Sequence, residues 1–87
     1  MKIKNTSQAG TYESNDIHII LSPNPHDGIV INLTSVVIKQ FGDHIKTLIC
    51  EILSHHDITS CIVDCDDQGA LDFTIKARLE SAIARNQ

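Results

Sequence analysis

The stretch Ser22-Pro23-Asn24-Pro25-His26-Asp27-Gly28 constrains the fold more than any other part of the chain. Two prolines fix φ and withdraw two backbone donors, so neither a helix nor a central strand passes through it. Gly28 adds a position free to take positive φ. An apolar alternation runs on either side. Ile17, Ile19 and Leu21 alternate with His18 and Ile20 before the stretch, and Ile29, Ile31 and Leu33 share one face after it. A period of two is that of a half-buried strand. The segment therefore predicts two strands joined by a long loop and paired as an antiparallel hairpin.

The period then changes. Val37, Phe41, Ile45, Leu48 and Ile52 follow at spacings of four, four, three and four, which predicts an amphipathic helix to about His55. Lys39, Gln40, Lys46 and Glu51 are left for water, and Thr34 or Ser35 can cap the start. Gly42 is the weak point of this helix, costing ~1 kcal/mol against Ala. Cys61, Val63 and Cys65 alternate with Ile62, Asp64 and Asp66 as a third strand, and Asp67-Gln68-Gly69 turns the chain. Leu71, Ile75, Leu79, Ala82 and Ile83 then form the stripe of a closing helix. The order ββαβα implies an α+β fold, a three-stranded sheet with two helices packed on one face. Residues 1–10 are polar and aperiodic and read as a flexible lead-in to a single domain over 11–87. Glu13-Ser14-Asn15-Asp16, without an apolar side chain, belongs at a strand end or in a loop.

Composition narrows the function. At 87 residues the chain makes one domain, and with 3% aromatic residues its core must be aliphatic. A net charge of −4 and scattered Lys and Arg argue against nucleic acid. No run approaches the ~20 apolar residues of a membrane span, and the opening residues lead into no apolar signal core. Three cysteines without framework spacing fit reduced thiols, so the expected location is cytoplasmic.

No grouping in the sequence makes an active site. Cys50, His55, His56, Asp57, Cys61 and Cys65 are zinc-ligand types but lack the close pairs of a zinc site. Cys61 and Cys65 read instead as buried thiols, and Cys50 as a surface thiol. Asp64-x-Asp66-x-Gln68-Gly69 imitates the opening of a calcium loop, yet Ile75 stands where the bidentate Glu is required. The acidic run reads as a solvated strand end, and no metal is expected. His18, His26, His44, His55 and His56 form no local arrangement with a nucleophile, and the glycines are too isolated to cradle phosphate. A carrier, an adaptor or a structural subunit remains.

One motif selects among these. Ala9-Gly10-Thr11-Tyr12-Glu13-Ser14-Asn15-Asp16 resembles the A-G-T-x-E-S-x-D signature of the citrate lyase acyl carrier (gamma chain) family. The likeness continues through Met1-Lys2-Ile3, Gln40-Phe41-Gly42-Asp43, Asp66-Asp67-Gln68-Gly69-Ala70-Leu71-Asp72 and Ala77-Arg78-Leu79-Glu80, in family order across nearly the whole chain. The resemblance implies that Ser14 carries a 2'-(5''-phosphoribosyl)-3'-dephospho-CoA group through a phosphodiester, with Gly10, Glu13 and Asp16 as the flanking recognition motif. It implies a transferase (holo-carrier synthase) that attaches the group. It also implies citrate lyase alpha and beta subunits as partners, which exchange acetyl for citryl and cleave the citryl carrier to oxaloacetate, as in citrate fermentation. The carrier itself is not an enzyme.

The residues suit that role. Ser14 lies on a polar stretch that a modifying enzyme can reach, and no His in the motif stands ready to activate it. Tyr12 and Phe73 depart from the family's usual aliphatic and Cys, which implies local repacking. The chain ends at Gln87, short of the tail many members have. Two other readings are carried forward: the analogous carrier of malonate decarboxylase, and an unmodified interaction module pairing through an exposed strand edge.

Overall fold

The computed structural model describes residues 1–86. It comprises β1 (Ser7–Ala9), β2 (Ile17–Ser22), β3 (Ile29–Ser35), α1 (Ile38–His55), β4 (Cys61–Asp67) and α2 (Asp72–Ala84). The α+β class and the two helices agree with the sequence reading, but the sheet has four strands in the order β1-β2-β4-β3. The fourth is β1, which lies in the segment read as a lead-in. It pairs antiparallel with β2, Ser7 opposite Leu21 and Ala9 opposite Ile19. Ile3 and Ala9 are buried in the core, and the Ile3 amide donates to the Ser60 carbonyl at 2.9 Å.

The expected hairpin does not form. β4 lies between the two strands that the proline segment connects, antiparallel to β2 and parallel to β3. The physical reason is the helix between β3 and β4: a β-α-β crossover brings its second strand back parallel beside the first. A two-residue turn could not reach across that inserted strand, whereas residues 23–28 span it. The Asn24 side-chain amide donates to the carbonyls of Asp27 and Gly28, each at 3.0 Å, and the Gly28 carbonyl accepts from the Cys61 amide at 3.0 Å.

Alternation places Ile17, Ile19, Leu21, Cys61, Val63 and Cys65 on one sheet face, all buried, beneath both helices. The core is aliphatic, as composition required. Two stripe assignments shift, however. In α1 the buried residues are Gly42, Ile45, Ile49, Ile52 and Leu53, while Phe41 is exposed. In α2 they are Ile75, Leu79 and Ala82, while Leu71 lies exposed just before the helix. Gly42, read as a weak point, is buried where a Cβ would come within 3.0 Å of the Ile38 side chain. The expected hydroxyl cap is met in part: Val37, which precedes α1, makes no side-chain cap, but the Ser35 hydroxyl accepts from the Val37 amide at 3.1 Å while donating to Asp67. Among the described residues no helix is long and apolar enough to cross a membrane.

Candidate functional site

The segment between β1 and β2 folds back as a four-residue turn. The Asp16 amide donates to the Glu13 carbonyl at 3.2 Å, leaving Ser14 and Asn15 as the two central residues. Asn15 has φ 64°, the positive value that a type II turn needs at its third position and that Asn tolerates better than most residues. Ser14 is exposed at the tip, and Glu13 is exposed beside it.

Three sets of contacts hold this turn. The Asn15 amide donates to the Gln68 carbonyl at 2.7 Å, and the Gln68 amide donates to the Asp16 carbonyl at 2.9 Å, docking the turn on the end of β4. The Thr11 hydroxyl accepts from the Glu13 amide at 3.2 Å and donates to the Asp16 carboxylate at 2.7 Å. Asp16, itself buried, accepts from the Ile17 amide at 2.8 Å and takes a bidentate pair from Arg78, Nε and Nη2 each at 2.9 Å. The Arg78 hydrogen bond is the main reason the Asp16 carboxyl is held down to about 2; burial opposes it, and Thr11 and Ile17 assist. The Arg78 guanidinium is raised in turn by the same partner.

Gly10 starts the turn for steric reasons. Its φ is 91°, and a Cβ built there would lie 1.8 Å from the Ile17 carbonyl oxygen. No other residue type fits without moving the backbone. Of the residues the motif named, Gly10 and Asp16 thus shape and anchor the loop, Glu13 closes it through its carbonyl, and Ser14 is presented at its tip.

Sequence reasoning missed Thr11, Asn15 and Arg78 as parts of this device. The first two carried a signal, a hydroxyl and a positive-φ-tolerant residue in a polar run. Arg78 carried none that was local, because it reaches the turn from 62 positions along the chain.

The other chemical groups are tied into the fold. Asp67 is fully buried, not solvated as expected; it accepts from the Ser35 hydroxyl at 2.6 Å and the Ala70 amide at 3.0 Å. Asp64 accepts from Asn32 at 2.9 Å and Asp66 from Gln68 at 2.6 Å. Cys61 and Cys65 are buried and Cys50 is exposed, as read from the sequence. Burial pushes the thiols of Cys61 and Cys65 up to about 11 and about 12. His44 contacts Asp72 at 2.9 Å, His56 contacts Glu80 at 2.7 Å, and His18 bonds Gln8 at 3.0 Å while stacking on Tyr12. None of these imidazole contacts goes to Ser14. Among the described residues no three His, Cys, Asp or Glu side chains come together as a metal site. Tyr12 and Phe73, where repacking was expected, are exposed.

A compact α+β body with one serine raised on a braced turn has the layout of a carrier. The family described as ACP: Malonate decarboxylase delta subunit (MdcD) matches residues 4–86. The citrate lyase acyl carrier protein of Latilactobacillus sakei subsp. sakei is 51% identical over 98% of this chain and 83% of its own length. Those of Streptococcus equi subsp. zooepidemicus and Streptococcus pyogenes serotype M5 are 46% and 47% identical over the same shares. A chain from a Pseudomonas malonate decarboxylase hetero-tetramer in complex with malonate superposes with a TM-score of 0.82. It covers 100% of this chain and 89% of that one, and its 17% identity makes this a likeness of fold. The chain belongs to the acyl carrier protein family of citrate lyase and malonate decarboxylase, whose members are carrier subunits and not catalysts.

Proposed function

We propose that this chain is the acyl carrier of a citrate lyase, loaded at Ser14 with 2'-(5''-phosphoribosyl)-3'-dephospho-CoA through a phosphodiester. The observation that carries the proposal is the Ser14 turn: an exposed hydroxyl at its tip, braced from both sides and served by no imidazole. Its residues fit a serine modified by a separate transferase. Such a serine needs access and a fixed backbone, while a catalytic serine needs a base within hydrogen-bond reach. When bound, the group supplies a terminal thiol that bears acetyl or citryl as a thioester.

The rest of the chain holds the attachment point still. The Asp16–Arg78 pair and the Gln68 backbone fix the root of the arm, so that the arm's own length sets where the thioester can reach. Tethering then gives a high effective concentration at each partner site. The alpha subunit of citrate lyase exchanges acetyl for citryl with release of acetate, and the beta subunit cleaves the citryl thioester to oxaloacetate and the acetyl thioester, in the cytoplasm of a citrate-fermenting cell. Relatives 46–51% identical over nearly the full chain support citrate lyase over the second reading. The second reading, a malonate decarboxylase carrier, is favoured by the family description and the fold neighbour. Supplying purified citrate lyase alpha and beta subunits with the loaded chain separates the two. Citrate cleavage is the expected result, and malonate decarboxylation with decarboxylase subunits alone would reverse the assignment.

A further inference from the structure

The chain has three aromatic residues, Tyr12, Phe41 and Phe73, and all of them lie on the surface. In a domain short of aromatics the core is the expected place for them. Two of the three come together. Phe41 (53% exposed), Leu71 (62%) and Phe73 (72%) line one groove of about 490 Å³ between the starts of α1 and α2. Val36 (65%) stands at its edge, near Gly69. Phe41 and Leu71 are also the two residues whose helical spacing predicted burial. Their apolar character is therefore not used by the fold.

The groove adjoins the Ser14 turn. A Cβ at Gly69, which lines the groove, would lie 3.8 Å from the Asn15 side-chain oxygen and 3.9 Å from Val36. Asn15 is the residue next to Ser14. The titratable groups lining the groove are His44 and Asp72, which bond each other at 2.9 Å, and the exposed Glu13 flanks Ser14 at the near end. Apolar clusters with a polar rim mark interaction sites, and aromatic side chains anchor such interfaces.

We propose that the Phe41–Leu71–Phe73 groove is the surface by which this carrier docks on the catalytic subunits that use its acyl group. It takes an apolar ridge flanked by Lys or Arg, placed so that Ser14 faces the subunit's active-site entrance. This rests on the carrier reading of Ser14. The acidic character of the chain, with a net charge of −4, Asp72 in the groove lining and the exposed Glu13 beside Ser14, complements a basic partner surface. The fold neighbour comes from a hetero-tetramer, so that relative works inside an assembly. Docking beside the root of the arm also explains why the turn is braced: the groove and Ser14 then move as one body.

The test measures binding of the full chain to purified citrate lyase alpha and beta subunits by calorimetry. The variants are Phe41→Ala, Phe73→Ala, the double variant, and Val30→Thr as a control on the exposed sheet edge. Thermal midpoints confirm folding, and Leu71→Gln provides a second route if either Phe variant misfolds. At least a tenfold loss of affinity in the double variant is expected for one or both subunits, with Val30→Thr unchanged. Unchanged affinity in the double variant would overturn the proposal, as would a wild-type chain that binds neither subunit. Light scattering that shows a wild-type dimer made monomeric by the double variant would assign the groove to a second copy and also overturn it. Intact mass is read in parallel: groove-dependent binding without mass added at Ser14 would sustain the docking surface while removing the attachment reading.

Discussion

Breaking the Asp16–Arg78 pair is expected to loosen the Ser14 turn while leaving the core intact. Asp16 is buried and holds Arg78 in a bidentate pair, with its carboxyl lowered from 3.8 to about 2. That drop corresponds to about 2 kcal/mol, the Arg78 hydrogen bond being its largest cause. The Arg78 side chain is 41% exposed, so solvent screening reduces the pair's own contribution to about 1–1.5 kcal/mol. Because the folded carboxyl titrates below the unfolded one, this stability is fully present above about pH 4 and is lost as pH falls through 2. Urea unfolding of wild type, Asp16→Asn, Arg78→Gln and the double variant should give a coupling of about 1 kcal/mol at pH 7. The gap between wild type and Asp16→Asn should hold from pH 7 to about 4 and narrow toward pH 2. Each single variant should also slow loading of Ser14 by the transferase. Single-variant effects that add within about 0.3 kcal/mol, or a gap that does not change with pH, would refute the account of the brace.

Further outcomes follow from the same geometry. Gly10→Ala should destabilise the fold by more than about 2 kcal/mol, because positive φ and the Ile17 carbonyl both oppose a Cβ. Gly28→Ala, with φ 88° but nothing within 4 Å, should cost only about 1 kcal/mol; equal melting shifts for the two would count against the close approach. At pH 8 an alkylating reagent should label Cys50 alone in the native protein and all three cysteines in urea, since burial raises the thiols of Cys61 and Cys65. Native labelling of Cys65 would contradict the core placement. Ser35→Ala should cost about 1–2 kcal/mol in urea unfolding by leaving the buried Asp67 short of a partner, and no measurable cost would contradict that role.

Local periodicity showed β2, β3, β4 and both helices, because each carries its own alternation or stripe. It could not show that β4 enters between β2 and β3, since a loop of residues 23–28 suits a hairpin and a one-strand span alike. β1 was invisible for a different reason: Ser7 and Ala9 are small, and they are buried because α2 packs over them, the Ser7 hydroxyl donating to the Ala82 carbonyl at 2.6 Å. The helix stripes were misphased at Phe41 and Leu71 because spacing reports hydrophobicity, and hydrophobic side chains also serve surfaces that partners cover. The exposed loop placement of Ser14 was legible in the polar run Glu13-Ser14-Asn15-Asp16. The brace was not, because Arg78 meets Asp16 only once α2 has packed on the sheet.

The proposed carrier function depends on Ser14 as the root of a covalently attached arm. Intact mass spectrometry of the protein isolated from its native host during growth on citrate tests it most directly. The expected species is heavier by one phosphoribosyl-dephospho-CoA, with the added mass located to the peptide containing Ser14 and lost in Ser14→Ala. An unmodified mass from such cells, or an added mass that persists in Ser14→Ala, would contradict it.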